Sequence, residues 1–171
     1  GTSGSGKSTI SKLLAERLNF NLLDSGKLYR AAGYINSQNN NLSNNVNELI
    51  ELLSEISLKV NKDNHEFEIF YQNNKIDHLL YSEDIGKFAS VVSQIPEVRK
   101  RMFELQHMCV KEPGLIANGR DMGSEVFTNA SLKIYITASI EIRARRRFNE
   151  LCERGEDVDY ESIYQSLEKR D

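Results

Sequence analysis

At 171 residues the chain has the size of one compact α/β domain, with room for small inserted subdomains. A hydrophobic share of 39% against 27% charged residues is globular, and no apolar run is long enough to span a bilayer. A net charge of −3 speaks against general nucleic-acid binding, and two distant cysteines, Cys109 and Cys152, without a metal-ligand pattern, fit a reducing cytoplasm.

The chain opens on Gly1-Thr2-Ser3-Gly4-Ser5-Gly6-Lys7-Ser8-Thr9. Gly1, Gly6, Lys7 and Ser8 fill G-x-x-x-x-G-K-[ST], the phosphate-binding P-loop. Glycines let successive backbone N–H groups curl round phosphate oxygens. Lys7 can then reach the β- and γ-phosphates of ATP, and the Ser8 hydroxyl can take Mg²⁺. Ile10, Leu13, Leu14 and Leu18 recur at helical spacing, so an amphipathic helix is expected to start here with its positive end towards the phosphates. A P-loop ordinarily follows a strand, and one is therefore expected ahead of Gly1.

Phe20 to Asp24 reads as a short buried strand, Ser25-Gly26 as a turn, and Leu28 to Ile35 as a helix. Asn36–Asn47, with seven Asn in twelve residues, reads as a polar loop. Leu49 to Leu53 is helix or strand. Ile56–Val60 and Glu66–Tyr71 alternate, and a turn pair Asn73-Asn74 with a short Lys75–His78 segment completes an antiparallel meander. Such a meander is foreign to a plain βα repeat and reads as an insertion. Ser82 caps a helix through Val92, and Pro96 starts another with Val98, Met102, Leu105 and Cys109 on one face. Pro113-Gly114 ends it. Leu115–Ala117 and Leu132–Ile136 read as buried strands. Ser139 then caps a helix carrying Arg143, Arg145, Arg146 and Arg147, with Arg154 just beyond, and Val158–Leu167 is a last amphipathic helix. The alternation predicts an α/β P-loop fold, a doubly wound parallel sheet with helices on both faces, whose ligands sit beyond the strand carboxyl ends.

Three further segments narrow the reading. They are Asp24-Ser25-Gly26-Lys27-Leu28-Tyr29-Arg30, then Ser90 with Arg99 nine residues on, then Asn118-Gly119-Arg120-Asp121-Met122-Gly123. With the P-loop and the arginine-rich helix, in this order, they make the whole chain resemble the bacterial cytidylate kinases, which phosphorylate CMP and dCMP. The resemblance implies a core of residues 1–30 and 87–171 with a short helical lid at about 143–158, and an NMP-binding subdomain at 31–86. It implies ATP and CMP or dCMP as substrates, with Mg²⁺, in a cytoplasmic monomer that binds neither nucleic acid nor membrane.

Phosphoryl transfer asks the protein mainly for position and charge. By resemblance, residues Gly1–Thr9 with Arg143 and Arg146 bind ATP, and Lys7, Arg120 and Arg147 carry catalytic charge. Arg30 and Arg120 hold the acceptor phosphate, a role that suits a guanidinium fork. Ser90, Arg99 and Asp121 read the cytosine edge, Asp121 alternatively serving the metal. Ser25 and Arg170 contact the acceptor's sugar side. Tyr29 is a ligand or a core aromatic, and Arg145 reads as solvated. Ser8 takes Mg²⁺, with Asp24 or Asp121 behind it. The family usually has aspartate where Asn118 stands, which predicts that Asn118→Asp tightens Mg²⁺ binding. Its next ribose and base contacts are expected beyond Asp171.

Rival readings are another small-molecule P-loop kinase, acting on UMP, AMP, dTMP or shikimate, or a switch GTPase. The last rests on Asn74-Lys75-Ile76-Asp77, which matches the guanine-reading N-K-x-D but lies in a predicted hairpin with no D-x-x-G segment.

Overall fold

The computed structural model describes residues 1–2, 4–153 and 155–170, and the side chains of all of these except Asn44, Lys169 and Arg170. Ser3, expected in the ATP loop, and Arg154 of the arginine-rich segment lie outside the described residues, as does the side chain of Arg170, expected on the sugar. The chain forms two compact units, one of residues 1–10 with 119–171 and one of residues 11–118.

The larger unit contains both sheets. Strand β1 (Asn21–Asp24) pairs in parallel with β5 (Leu115–Asn118), in a register that sets Asp24 opposite Asn118. Strands β2 (Ile56–Val60), β3 (Phe67–Tyr71) and β4 (Asn74–Lys75) form the expected antiparallel meander. Its β2–β3 pairing alternates Ile56, Phe67 and Ile69 inwards, the period-two pattern of a half-buried sheet. The hairpin turn is Gln72-Asn73, one residue earlier than expected. Both residues are left-handed, with φ of 49° and 63°, as a two-residue hairpin turn of matching twist requires. Leu22 N–H donates to the His65 carbonyl (2.8 Å), which fastens the meander to the edge of β1.

Helices fill the rest of this unit. Helix α1 (Lys7–Leu18) starts in the smaller unit and runs into this one. Its expected apolar stripe is misassigned: Leu13 and Leu18 are exposed, and the buried positions are Ser11 and Ala15. The turn facing the core is thus made of small side chains, which a search for large apolar residues passes over.

Helix α2 (Ser25–Gln38) buries Leu28, Ala31, Ala32 and Ile35 along one face. It runs on past Asn36, which is itself buried and whose carbonyl takes the N–H groups of Asn39 and Asn41. Asn40 and Asn41 then adopt the left-handed backbone that asparagine tolerates. The asparagine-rich stretch is therefore a helix end, a 3₁₀ turn (Leu42–Asn44) and a helix start, not one loop.

Helix α3 (Val46–Ser54) resolves the ambiguity at 49–53. Leu49 and Leu53 are both fully buried, a spacing of four that only a helix puts on one face. Helix α4 (Glu83–Val92) is capped as expected, with Ser82 Oγ accepting from Ile85 N–H at 3.2 Å. Helix α5 (Pro96–His107) starts on its proline and ends six residues before Pro113, and Val98, Met102, Leu105 and Cys109 are all buried. Helices α2 and α4 cross closely at Gly33, where a Cβ would lie 2.5 Å from the Ala89 backbone nitrogen.

The smaller unit packs α6 (Ile140–Glu153) on α7 (Tyr160–Arg170), burying Ala144, Leu151 and Leu167 with an edge-on Phe148–Tyr160 contact at 6.0 Å. Ser139 Oγ accepts from Ile142 N–H at 3.4 Å, as a cap should. A π-turn, Met122–Val126, follows Asp121. The expected strand at 132–136 does not form. That segment has no ladder partner among the described residues, and Leu132, Ile134 and Tyr135 are exposed. A strand exists only through its neighbour's hydrogen bonds. The fold is α/β with a parallel pair of strands, and the wider doubly wound sheet is not formed among the described residues.

Candidate active site

The phosphate loop is shaped by its own backbone. Gly4 (φ 74°) and Gly6 (φ 94°) are left-handed, which glycine accepts without strain. Ser5 is buried and donates through Oγ to the Thr2 carbonyl at 2.9 Å; Lys7 Nζ donates to the same oxygen at 2.5 Å. Thr2 O thus gathers the loop's hydroxyl and its cation. Ser8 and Thr9 are exposed in the first turn of α1, the positive end of the helix.

Helix α6 backs this loop. Arg143 is buried, its Nε donates to the Ala138 carbonyl at 3.0 Å, and its Cβ lies where a side chain on Gly4 would come within 3.3 Å. Arg146 Nη1 reaches the Gly4 carbonyl at 3.4 Å. Arg147 pairs with Glu150 at 3.1 Å, and Arg145 is exposed, as the solvated reading expects. Arg143 and Arg146 therefore both reach the loop, and Arg143 is the buried one. The spacing predicted a shared face for Arg143 and Arg147; it did not predict that Arg143 is a buried support.

Arg120 and Asp121 stand at the start of the loop. The Gly1 backbone nitrogen lies 3.5 Å from the Arg120 carbonyl oxygen. The Asp121 carbonyl accepts from Glu125 N–H (2.9 Å), which fixes it as the entry to the π-turn.

The larger unit holds the remaining residues. Asp24 ends β1 and caps α2, its carboxylate accepting from Lys27 N–H at 3.3 Å. Burial pushes its carboxyl above the ordinary range, with the Lys27 and Gly26 backbone N–H groups pulling partly back. Ser25 is buried in the first turn of α2. One turn further, Arg30 Nη1 donates to the carbonyls of Leu80 (2.9 Å) and Ser82 (3.0 Å). Ser90 is exposed on α4 and donates to the Gly86 carbonyl of its own helix at 3.0 Å. Arg99, on α5, stands over the Phe103 ring at 5.3 Å. Arg30, Ser90 and Arg99 thus share one unit, and Arg120 and Asp121 belong to the other.

The pairing of two polar residues is not anticipated by the sequence reading. Lys27 forms an ion pair with Asp77 and donates to the Phe67 carbonyl at 3.1 Å. Asp77 in turn accepts from Ile69 N–H at 3.0 Å. The available hint was that Lys27 and Arg30 are three apart and share a helix face. The same contacts dispose of the N-K-x-D match. Asn74 donates to Gln72 O (3.2 Å), Lys75 to Glu68 (2.5 Å), and Asp77 is consumed by Lys27 and Ile69, so this tetrapeptide spends its polar groups on the meander and on α2.

Among the described residues no three His, Cys, Asp or Glu side chains gather to hold a metal unaided. A P-loop magnesium does not need such a cage, since phosphates and waters supply most of its ligands. The exposed Ser8 hydroxyl at the helix start fits that role.

A glycine-rich phosphate loop at the head of a helix, in an α/β chain with parallel strands, defines a P-loop nucleotide-binding protein. The sequence profile of the family described as cytidylate kinase matches residues 1–171. A cytidylate kinase of Caldicellulosiruptor bescii is 38% identical over 171 residues, which cover all of this chain and 76% of that protein. One from Azotobacter vinelandii is 38% identical over 174 residues, with the same coverage, and one from Carboxydothermus hydrogenoformans is 36% identical over 171 residues, covering 77% of its length. The chain belongs to the cytidylate kinase family.

Proposed function

We propose that the chain transfers the γ-phosphoryl group of ATP to CMP and dCMP, giving CDP and dCDP by in-line displacement. Membership of the family carries this reading, and the phosphate loop braced by Arg143 and Arg146 supports its donor half. The attacking oxygen of CMP is already anionic, so no general base is needed and the protein's task is charge and position.

In the donor half, the backbone N–H groups of Gly1–Thr9 cradle the phosphates. Lys7 leaves the Thr2 carbonyl for the β- and γ-oxygens, exchanging a neutral acceptor for a charged one. Arg143 supports the loop from below, Arg146 reaches over it, and Arg147 meets the charge that spreads over the moving phosphoryl group. Ser8 would hold magnesium, with Asp24 or Asp121 behind it, and the ion would supply positive charge against the phosphates. Residues 143–158 close as a lid and exclude water that would otherwise hydrolyse ATP.

In the acceptor half, Arg30 and Arg120 grip the CMP phosphate. Ser90 and Asp121 accept from the cytosine amine while Arg99 donates to its ring acceptors. Uracil would set an oxygen against the carboxylate, a mismatch of about 1–3 kcal/mol for one good pair. Ser25 and Arg170 hold the sugar side, and residues 31–86 form the subdomain that covers the nucleotide. Asn118, opposite Asp24 at the strand ends, contributes no charge, so Asn118→Asp should lower the Mg²⁺ concentration needed for half-maximal rate. An unchanged titration would dispose of that role.

The deciding measurement is initial rate against a panel of acceptors with ATP. CMP and dCMP should exceed UMP and AMP by about tenfold or more in kcat/KM. Equal rates with UMP and AMP would overturn the assignment.

A further inference from the structure

We infer that Lys27 and Asp77 are positioning residues for the acceptor phosphate, acting through Arg30. The inference rests on the proposal that Arg30 holds that phosphate.

Lys27 and Arg30 lie one helical turn apart on the same face of α2 and dock on one short segment, residues 77–82. Lys27 takes the first residue of that segment, Asp77, as an ion pair whose side chains are only 11% and 14% exposed. Arg30 takes the last part, through the Leu80 and Ser82 carbonyls. Between them the 3₁₀ turn Asp77–Leu79 leads into Leu80, which is fully buried. The second Asp77 oxygen ties the turn to β3 through Ile69 N–H. Both ends of the segment are thereby fixed to α2 by cations of that helix, and its first residue is fixed to the meander as well.

The consequence falls on the Arg30 fork. Nη1 carries two N–H groups, and two carbonyls, at 2.9 and 3.0 Å, take them. The guanidinium plane is thereby set, and the Nη2–Nε edge is the one left to meet two phosphate oxygens in parallel. Gly86 lies under this fork: a Cβ there would sit 3.2 Å from Nη2. A fork already oriented loses little rotamer freedom when phosphate arrives, whereas a free arginine would lose most of it.

A purely structural account predicts something different. A buried ion pair adds little net stability, because desolvation offsets most of the attraction, and apolar or neutral pairs of similar volume often serve as well. Lys27→Met with Asp77→Asn keeps volume and keeps an acceptor for Ile69 N–H, so the double variant should fold normally. What it loses is the electrostatic tie that holds residues 77–82 against α2.

The test compares steady-state kinetics and melting of Lys27→Met/Asp77→Asn, Arg30→Met and the parent. The double variant should raise KM for CMP by about tenfold while KM for ATP stays within about twofold and Tm falls by no more than a few degrees. Lys27→Arg, which retains the pair, should restore KM for CMP. Arg30→Met should raise KM for CMP further than the double variant does. A CMP KM unchanged in the double variant but raised in Arg30→Met ends the positioning role and leaves the Arg30 assignment standing. An Arg30→Met variant with parental CMP KM ends that assignment and this inference with it. Equal rises in both KM values also overturn the positioning role, since they mark general damage. If the double variant does not fold, Lys27→Gln carries the same comparison.

Discussion

The two units of the molecule hold their cations in different ways. Around the phosphate loop, Lys7 and Arg146 rest on carbonyls of the loop itself, Thr2 and Gly4, and Arg143 on Ala138 a few residues away. In the larger unit, Lys27 and Arg30 are held by groups some fifty residues on, Asp77, Leu80 and Ser82. The bonds of Ser5 and Lys7 to Thr2 close the loop on itself, and α6 braces it from 142 positions on, at Arg146. Arg30, proposed to hold the acceptor phosphate, depends wholly on tertiary structure. A substitution in the loop should therefore act on chemistry with little effect on fold, and substitutions in the larger unit should show their effects through position.

The sharpest way to break that contrast is Lys7→Ala. Loss of a charge aimed at the transferred phosphoryl group should cost about 10³-fold in kcat, with circular dichroism and Tm close to the parent. Near-parental turnover would contradict the donor half of the scheme. Next in size is Arg99→Met. It should reduce kcat/KM for CMP by roughly 10- to 100-fold and narrow the preference over UMP, while KM for ATP holds. An equal loss with both acceptors would remove Arg99 from base reading.

Gly33→Ala tests the larger unit's dependence on packing. The new Cβ meets the Ala89 backbone, which cannot swing aside, so α4 must move off α2. Overpacking of this kind costs about 1–3 kcal/mol, roughly 2–10 °C in Tm. KM for CMP should rise with it, since Ala89 is followed by Ser90. A variant as stable as the parent would show that the crossing relaxes freely.

The smallest effect concerns pH. Burial raises the Asp24 pKa in the folded chain, so the native state retains a proton that the unfolded chain has lost. Stability then falls as pH rises from about 4 through the folded pKa, and a constant penalty persists above it. Asp24→Asn removes that fall while keeping an acceptor for the Lys27 N–H. Measured without nucleotide or magnesium, the parent-minus-variant stability should decline with rising pH across this window. A flat difference curve would mean that the carboxyl is not strained by burial.

The same contrast explains what the sequence could tell. The loop, the Ser82 and Ser139 caps, the Pro96 helix start and the meander were all legible, because each is encoded within a few neighbouring residues. The N-K-x-D match shows the limit of such reading. Its residues are right and its surroundings are wrong, because Asp77 answers to Lys27 across fifty positions. Leu132–Ile136 shows another limit, as an apolar run specifies a strand only where a neighbour completes the ladder. The α1 face was misread because Ser11 and Ala15 are small, and Arg143 because arginine is seldom buried. Arg30, Ser90 and Arg99 are proposed for the site by resemblance alone, since no local pattern joins them.

The buried Cys109 has one more consequence. Its enclosure pushes the thiol up to about 12, so at neutral pH it is neither thiolate nor reachable, whereas Cys152 lies exposed in the smaller unit. A thiol reagent should therefore count one cysteine in the native protein and two once residues 11–118 open. The rate at which the second appears is a clock for the opening of that unit alone, written into the chain without any added label.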